Sequence, residues 1–132
     1  MEILTFRTDR RTQLLDITEQ VLGAVERQPG RAVVVFVPHT TAGVVVQASG
    51  EGATRVAPDI EAAMERLVDE GWDYEHVHEG DRNPWAHIRA ALTSSSITVP
   101  LDEGRLALTD LQKIFFCEFD GPRERSVLLT VI

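Results

Sequence analysis

Residues 33–47, VVVFVPHTTAGVVVQ, place two β-branched runs on either side of a proline, a histidine and two threonines. Valine is stiff at χ1 and favours strands. Neither run alternates apolar with polar residues, as a strand with one wet face does, so both are expected to be buried on both faces or to lie beneath helices. The groups between them cannot enter that interior unpaired. Between two fixed strand ends, His39, Thr40 and Thr41 are therefore either turn residues paired locally or groups that face a pocket.

A chain of 132 residues, 43% of them hydrophobic, fills one compact core and no second, so residues 1–132 are read as a single domain. EILTFRT reads as an opening strand. In DITEQVLGAVERQPG, Asp16 and Glu19 have the spacing of a capping box, Ile17, Val21, Leu22 and Val25 recur at helical intervals, and Pro29 with Gly30 stops the helix. A second helix begins near Pro58, shows the stripe Ile60, Met64, Leu67 and Val68, and ends near Gly71. From there to Pro84 no period is sustained, which predicts a long loop of the kind that carries function. WAHIRAAL reads as a short helix. Strands follow at SITVPL, RLAL, KIFFCEF and SVLLTVI, separated by the turn signals DEG and DGP. The fold class is α+β: a compact single domain, a largely antiparallel β-sheet system, two main helices and one short one.

No run approaches the roughly 18 apolar residues that span a bilayer, and MEILTFRTDRR lacks the form of an export signal, so a cytoplasmic protein with no membrane partner is expected. Cys117 is the single cysteine, which excludes an internal disulfide. Alternating with Phe115 and Phe119, it reads as a packing residue on an apolar strand face. Thirteen basic against twenty-one acidic residues give a net charge of −8, and the basic ones are scattered. That balance repels a nucleic-acid backbone but leaves room for a small anion held by two or three arginines.

The four histidines are His39, His76, His78 and His87. Imidazoles suit divalent transition metals, and three of them with an open position is the usual catalytic layout. Their spacing fixes no local geometry, so a metal site and ordinary hydrogen-bonded histidines both remain open. Arg82, Arg105 and Arg123 lie nearest glycine- or proline-containing turns, and Thr40, Thr41 and Ser94 to Ser96 can add hydroxyl donors. Glu118, inside IFFCEFD, must meet an arginine or border a polar pocket and work there. Trp72 and Trp85 bracket the long loop, where burial would pin it to the body or a ring face would stack on a heteroaromatic ligand.

Taken in order, PHTTAGVVV, YEHVHEGD, AHIRAAL, SITVPLDEGRLAL and LQKIFFCEFDGPRERSVLLTVI resemble the YjbQ-like family, whose members are described as secondary thiamine-phosphate synthases. The likeness runs over nearly the whole chain. It implies a homotrimer with the site near the subunit boundaries, and a divalent metal ion, zinc or else magnesium, held by His39, His76 and His87. It implies a small phosphorylated substrate bound by Thr40, Thr41 and Arg123, with Arg105, Ser96 and Gln112 as further candidates. Glu118 or Glu79 would move the proton. The chain departs from common family residues at Gln47, Ala48, Ser94 and the stretch Thr109, Asp110 and Leu111. Beside the transferase stand two alternatives, a metal-dependent phosphate-ester hydrolase and a non-catalytic trimer that binds a metal or anion.

Overall fold

The computed structural model describes residues 1–50, 55–76 and 83–132. Strands β1 (Glu2–Arg7), β2 (Gln13–Asp16), β3 (Ala32–Phe36), β4 (Ala42–Ala48), β5 (Ser96–Asp102), β6 (Arg105–Leu106), β7 (Gln112–Glu118) and β8 (Glu124–Val131) are accompanied by helices α1 (Thr18–Val25), α2 (Ala57–Leu67) and α3 (Pro84–Ala91). A five-stranded sheet runs β1-β8-β3-β5-β6 and a three-stranded sheet runs β2-β7-β4. All of these pairings are antiparallel, in the α+β class expected from the sequence.

The unalternated apolar run of β7 has a simple cause. Ile114 and Phe116 face the larger sheet and join Val33, Val35, Val99, Val127 and Leu129 in the main core, together with Val21 and Val25 of α1. Phe115, Cys117 and the following Phe119 face the other way, against Ala86 and Trp85 of α3 and Ile60 and Met64 of α2. The smaller sheet is thus a middle layer, buried on both faces. Burial pushes the Cys117 thiol up to about 12, which fits packing and not nucleophilic work. β3 departs from the two-faced expectation: Val33 and Val35 are buried, Val34 is half-buried and Phe36 is exposed.

Local signals were partly redirected by packing. β2 was hidden in the run that leads into α1. Asp16 does not cap the helix itself; its Oδ1 accepts from the Thr18 N–H at 2.9 Å and the Thr18 hydroxyl at 2.6 Å, forming an Asx turn. α2 stops at Leu67, short of Gly71, and the buried Arg89 donates from Nη2 to the Val68 carbonyl at 2.7 Å. Glu61 covers the edge of β2, accepting the Leu14 N–H at 2.7 Å and both Arg10 Nη groups at 3.0 and 3.1 Å. The DEG signal is a tight hairpin turn, with Glu103 and Gly104 at φ 49° and 75°. No helix among the described residues is long and apolar enough to cross a membrane.

The two tryptophans separate in role. Trp85 packs into the second core cluster with the Arg11 guanidinium 5.9 Å from its ring centre, whereas Trp72 is 51% exposed beside Tyr74. Trp85→Leu is expected to cost about 2 kcal/mol and Trp72→Leu less than about 0.5 kcal/mol. Urea unfolding of both variants checks this, and equal losses would count against the packing described.

Candidate functional site

The connection from β3 to β4 crosses from the larger sheet to the smaller one. β8 runs beyond the end of β3, whose last pair with it is Phe36 and Leu128. In an antiparallel strand the N–H and C=O of one residue point to the same side, and Ser126 would present both to a missing strand. His39 takes that place, with Nε2 3.1 Å from the Ser126 nitrogen and 3.1 Å from its carbonyl oxygen. Either Nε2 accepts from the N–H or, in the other tautomer, its proton goes to the carbonyl. The ring also meets Phe116 edge-on.

Burial, and then the positive charge of Arg125, lower the His39 pKa from its ordinary 6.5. The folded state therefore resists protonation of this ring. Its contribution to stability is complete above about pH 6.5 and is lost as the pH falls below that towards the lowered value. In metal-free protein, the stability lost between about pH 7.5 and about pH 5.5 should be smaller in His39→Gln than in the wild type. Denaturant midpoints at both pH values measure this, and parallel losses would exclude His39 as a source.

An open cleft of about 600 Å³ lies at this crossing, lined by His39, Thr40, Thr41, Asn83, His87, Ser95, Arg123 and Arg125 among others. α3 brings His87 to it. Close approach of the segment after α3 to β4 depends on Gly43, where a Cβ would lie 1.9 Å from Thr93 Oγ1. His76 packs against His87, ring centres 5.1 Å apart. A chain of hydrogen bonds orients that pair. Asp120 can only accept, so the Asn83 Nδ2 that meets it at 2.8 Å is the amide's donor end. Asn83 Oδ1 then faces His76 Nε2 at 3.2 Å, which must carry the proton. The same Asp120 oxygen accepts from Arg123 Nη2 at 2.6 Å, while Arg123 Nε donates to the Asp120 carbonyl at 2.9 Å.

Glu118 meets an arginine. It belongs to the smaller sheet and Arg125 to the larger, and the two face each other across the interior, 0% and 5% exposed. Arg125 Nε lies 2.9 and 3.2 Å from the two carboxylate oxygens, and Nη2 donates to Oε2. The Thr8 hydroxyl donates to Oε1 at 2.7 Å, and the N–H groups of Phe119 and Asp120 reach Oε2 at 3.1 and 3.2 Å. A carboxylate so enclosed has no access to a substrate proton, which corrects the acid–base role expected of Glu118.

Of the other expected site residues, His39, Thr40, Thr41, His87 and Arg123 share the cleft, and His76 joins through His87. Ser96 does not line it; Ser96 pairs with Phe36 in the β3–β5 ladder, and the preceding Ser95 is the residue at the cleft. Arg105 and Gln112 lie apart, in a second cleft of about 460 Å³ with Glu19 and Glu26, because the β5–β6 hairpin and the start of β7 lie by α1. Gln112 Oε1 there accepts the Thr109 N–H at 3.0 Å. Glu79, with His78, Gly80 and Arg82, falls outside the described residues. Two residues were missed. Arg125 was detectable, since it alternates with the inward Val127 and Leu129 on β8; nothing in the sequence marks the link of Asn83 to Asp120.

For a divalent ion, the donor type and the neighbouring His76 and His87 rings fit. The third ligand is not assembled: among the described residues no three His, Cys, Asp or Glu side chains are grouped to hold a metal. His39 Nε2 is instead turned to the Ser126 backbone.

The model of the family described as UPF0047 protein YjbQ-like matches residues 2–132. The chain belongs to the YjbQ-like UPF0047 family. A UPF0047 protein of Archaeoglobus fulgidus is 42% identical over 129 residues, covering 98% of each chain. UPF0047 protein YugU of Bacillus subtilis is 33% identical, covering 100% of this chain and 98% of the relative. Among solved structures, an uncharacterized conserved protein of the family from Clostridium acetobutylicum superposes with TM-score 0.91 at 35% identity over 100% of both chains. A hypothetical protein from Aeropyrum pernix does so with TM-score 0.89 at 37% identity, over 100% of this chain and 98% of that one. Family membership and fold are thereby shown together.

Proposed function

We propose that the cleft binds a small phosphorylated substrate and supports a group transfer resembling that of secondary thiamine-phosphate synthases, in which a pyrimidine pyrophosphate is joined to a thiazole phosphate. The observation that carries this reading is the meeting of Arg123, Arg125, Thr40, Thr41 and His87 at one cleft. Departure of pyrophosphate concentrates negative charge on its oxygens, and fixed guanidinium and hydroxyl donors stabilise that charge as it forms. With Glu118 enclosed, Glu79, from the family likeness, is the group left to move a proton, and His87 is kept for the anion or the ion that holds it. The choice of reaction rests on that likeness.

A divalent ion, zinc first and magnesium second, belongs to the proposal through His76 and His87, with His39 as the third ligand the resemblance implies. When bound it supplies a Lewis acid for a phosphate oxygen; the roles given above belong to the chain's own groups. A homotrimer is part of the same reading. It is supported by an apolar row on the outer face of the larger sheet, where Ile3, Leu128 and Phe36 are cross-strand neighbours and Ile3 and Phe36 are 56% and 42% exposed. A cytoplasmic location completes it.

Untagged protein would be incubated with both thiamine precursors, with chelator, zinc or magnesium, and the condensed product measured by mass spectrometry. Product above the level of His87→Ala supports the transferase; none under any metal removes it. Metal analysis should find about one ion per chain, lost in His87→Ala. A second reading, a non-catalytic trimer that binds an anion, is favoured by the enclosure of Glu118 and by the pairing of Asp120 to Asn83 and Arg123. Phosphate binding without turnover would select it.

A further inference from the structure

We propose that Arg125 is the residue at the cleft that selects a terminal phosphate group, with Thr41 as its partner donor and Glu118 as its positioning residue. This rests on the reading of the cleft as a phosphate site and names the group that recognises the ligand. Arg125 is 5% exposed yet contributes to the cleft lining. One edge of its guanidinium is taken by Glu118, and Nη2 also donates to Thr41 Oγ1 at 2.8 Å. Nη1 gives no hydrogen bond among the described residues. Nη1 is not one of the buried atoms left without a partner, so it reaches the cleft, where an anionic oxygen can take the place of water on a cation already held in position.

Thr41 extends the same logic. Its oxygen accepts from Arg125, so its own proton is left to donate elsewhere, and Thr41 lines the cleft as well. Two donors side by side match two oxygens on one phosphorus. Their position is fixed, because Glu118 grips the guanidinium while Thr8 and two backbone N–H groups grip Glu118. Arg123 differs: it is half exposed at the rim and tied to Asp120. The cleft therefore has an enclosed floor that reads the anion and a solvent-exposed arginine at its rim.

Inorganic pyrophosphate would be titrated into the wild type, Arg125→Lys, Thr41→Val, Glu118→Gln and Arg123→Ala by calorimetry, with circular dichroism and thermal unfolding as controls on the fold. Lysine keeps a charge for Glu118 but cannot grip it and also present a second fixed donor. Its affinity is expected to fall about 10- to 100-fold, and that of Thr41→Val about 5- to 10-fold. In the wild type, pyrophosphate should shift the Arg125 side-chain N–H resonances. Glu118→Gln should diminish both the shift and the affinity, which loss of stability alone would not do. If Arg125→Lys fails to fold, Thr41→Val and the resonance shift decide the matter. Wild-type affinity in both folded variants, or in Thr41→Val with no shift at Arg125, overturns the inference. Binding that is weakened by Arg123→Ala but by neither floor variant sinks this inference and spares the phosphate reading; no binding by the wild type sinks both.

Discussion

Glu118→Ala should destabilise the protein by about 3 to 5 kcal/mol, because it strands the Arg125 charge between the sheets without its counterion. Few substitutions in a domain of this size should cost more. The partner is 5% exposed and meets solvent only where it lines the cleft, so most of its guanidinium would be left without a counterion. Removing the carboxylate also frees the Thr8 hydroxyl and the N–H groups of Phe119 and Asp120, each left to find a new acceptor. The companion Glu118→Leu/Arg125→Met variant, which removes both charges and keeps apolar volume, should recover most of the loss. Urea unfolding of the wild type, the single and the double variant measures this. A double variant no more stable than Glu118→Ala would mean that the stranded charge is not the cause.

His87→Ala should have the largest effect on turnover, about 100- to 1,000-fold in kcat/KM for the condensation, with little change in stability. Its ring is half-buried at the mouth of the cleft and lies against His76, so truncation leaves the core intact. Initial rates over a range of precursor concentrations, compared with the thermal midpoint of the same variant, separate the two effects. Loss of activity in step with loss of fold would demote His87 to packing, and full activity would remove it from the proposed chemistry.

The limits of sequence reading here have physical causes. Periodicity tells which face of a strand a residue occupies, so the burial of Cys117 between Phe115 and Phe119 was legible. For the same reason Glu118 could be seen to need a partner. Its partner could not be named, since alternation on β8 puts Arg125 inward without saying which sheet lies opposite. β2 was missed because its four residues run straight into the apolar spacing of α1. Which serine of the run Ser94 to Ser96 reaches the cleft could not be read, because a serine run gives no phase, and only the pairing of Ser96 with Phe36 sets it.

By itself the sequence determined the α+β class, most of the strands, the inert thiol, the polar crossing between β3 and β4, and a family likeness that the comparisons show to be membership. Tertiary structure alone decided that Glu118 supports Arg125 instead of moving protons, that His39 completes the edge of β8, and that Arg105 and Gln112 belong to another cleft. Those are matters of which surfaces meet. Local propensity fixes how each segment is built, but contacts between sheets arise from register and packing over the whole chain.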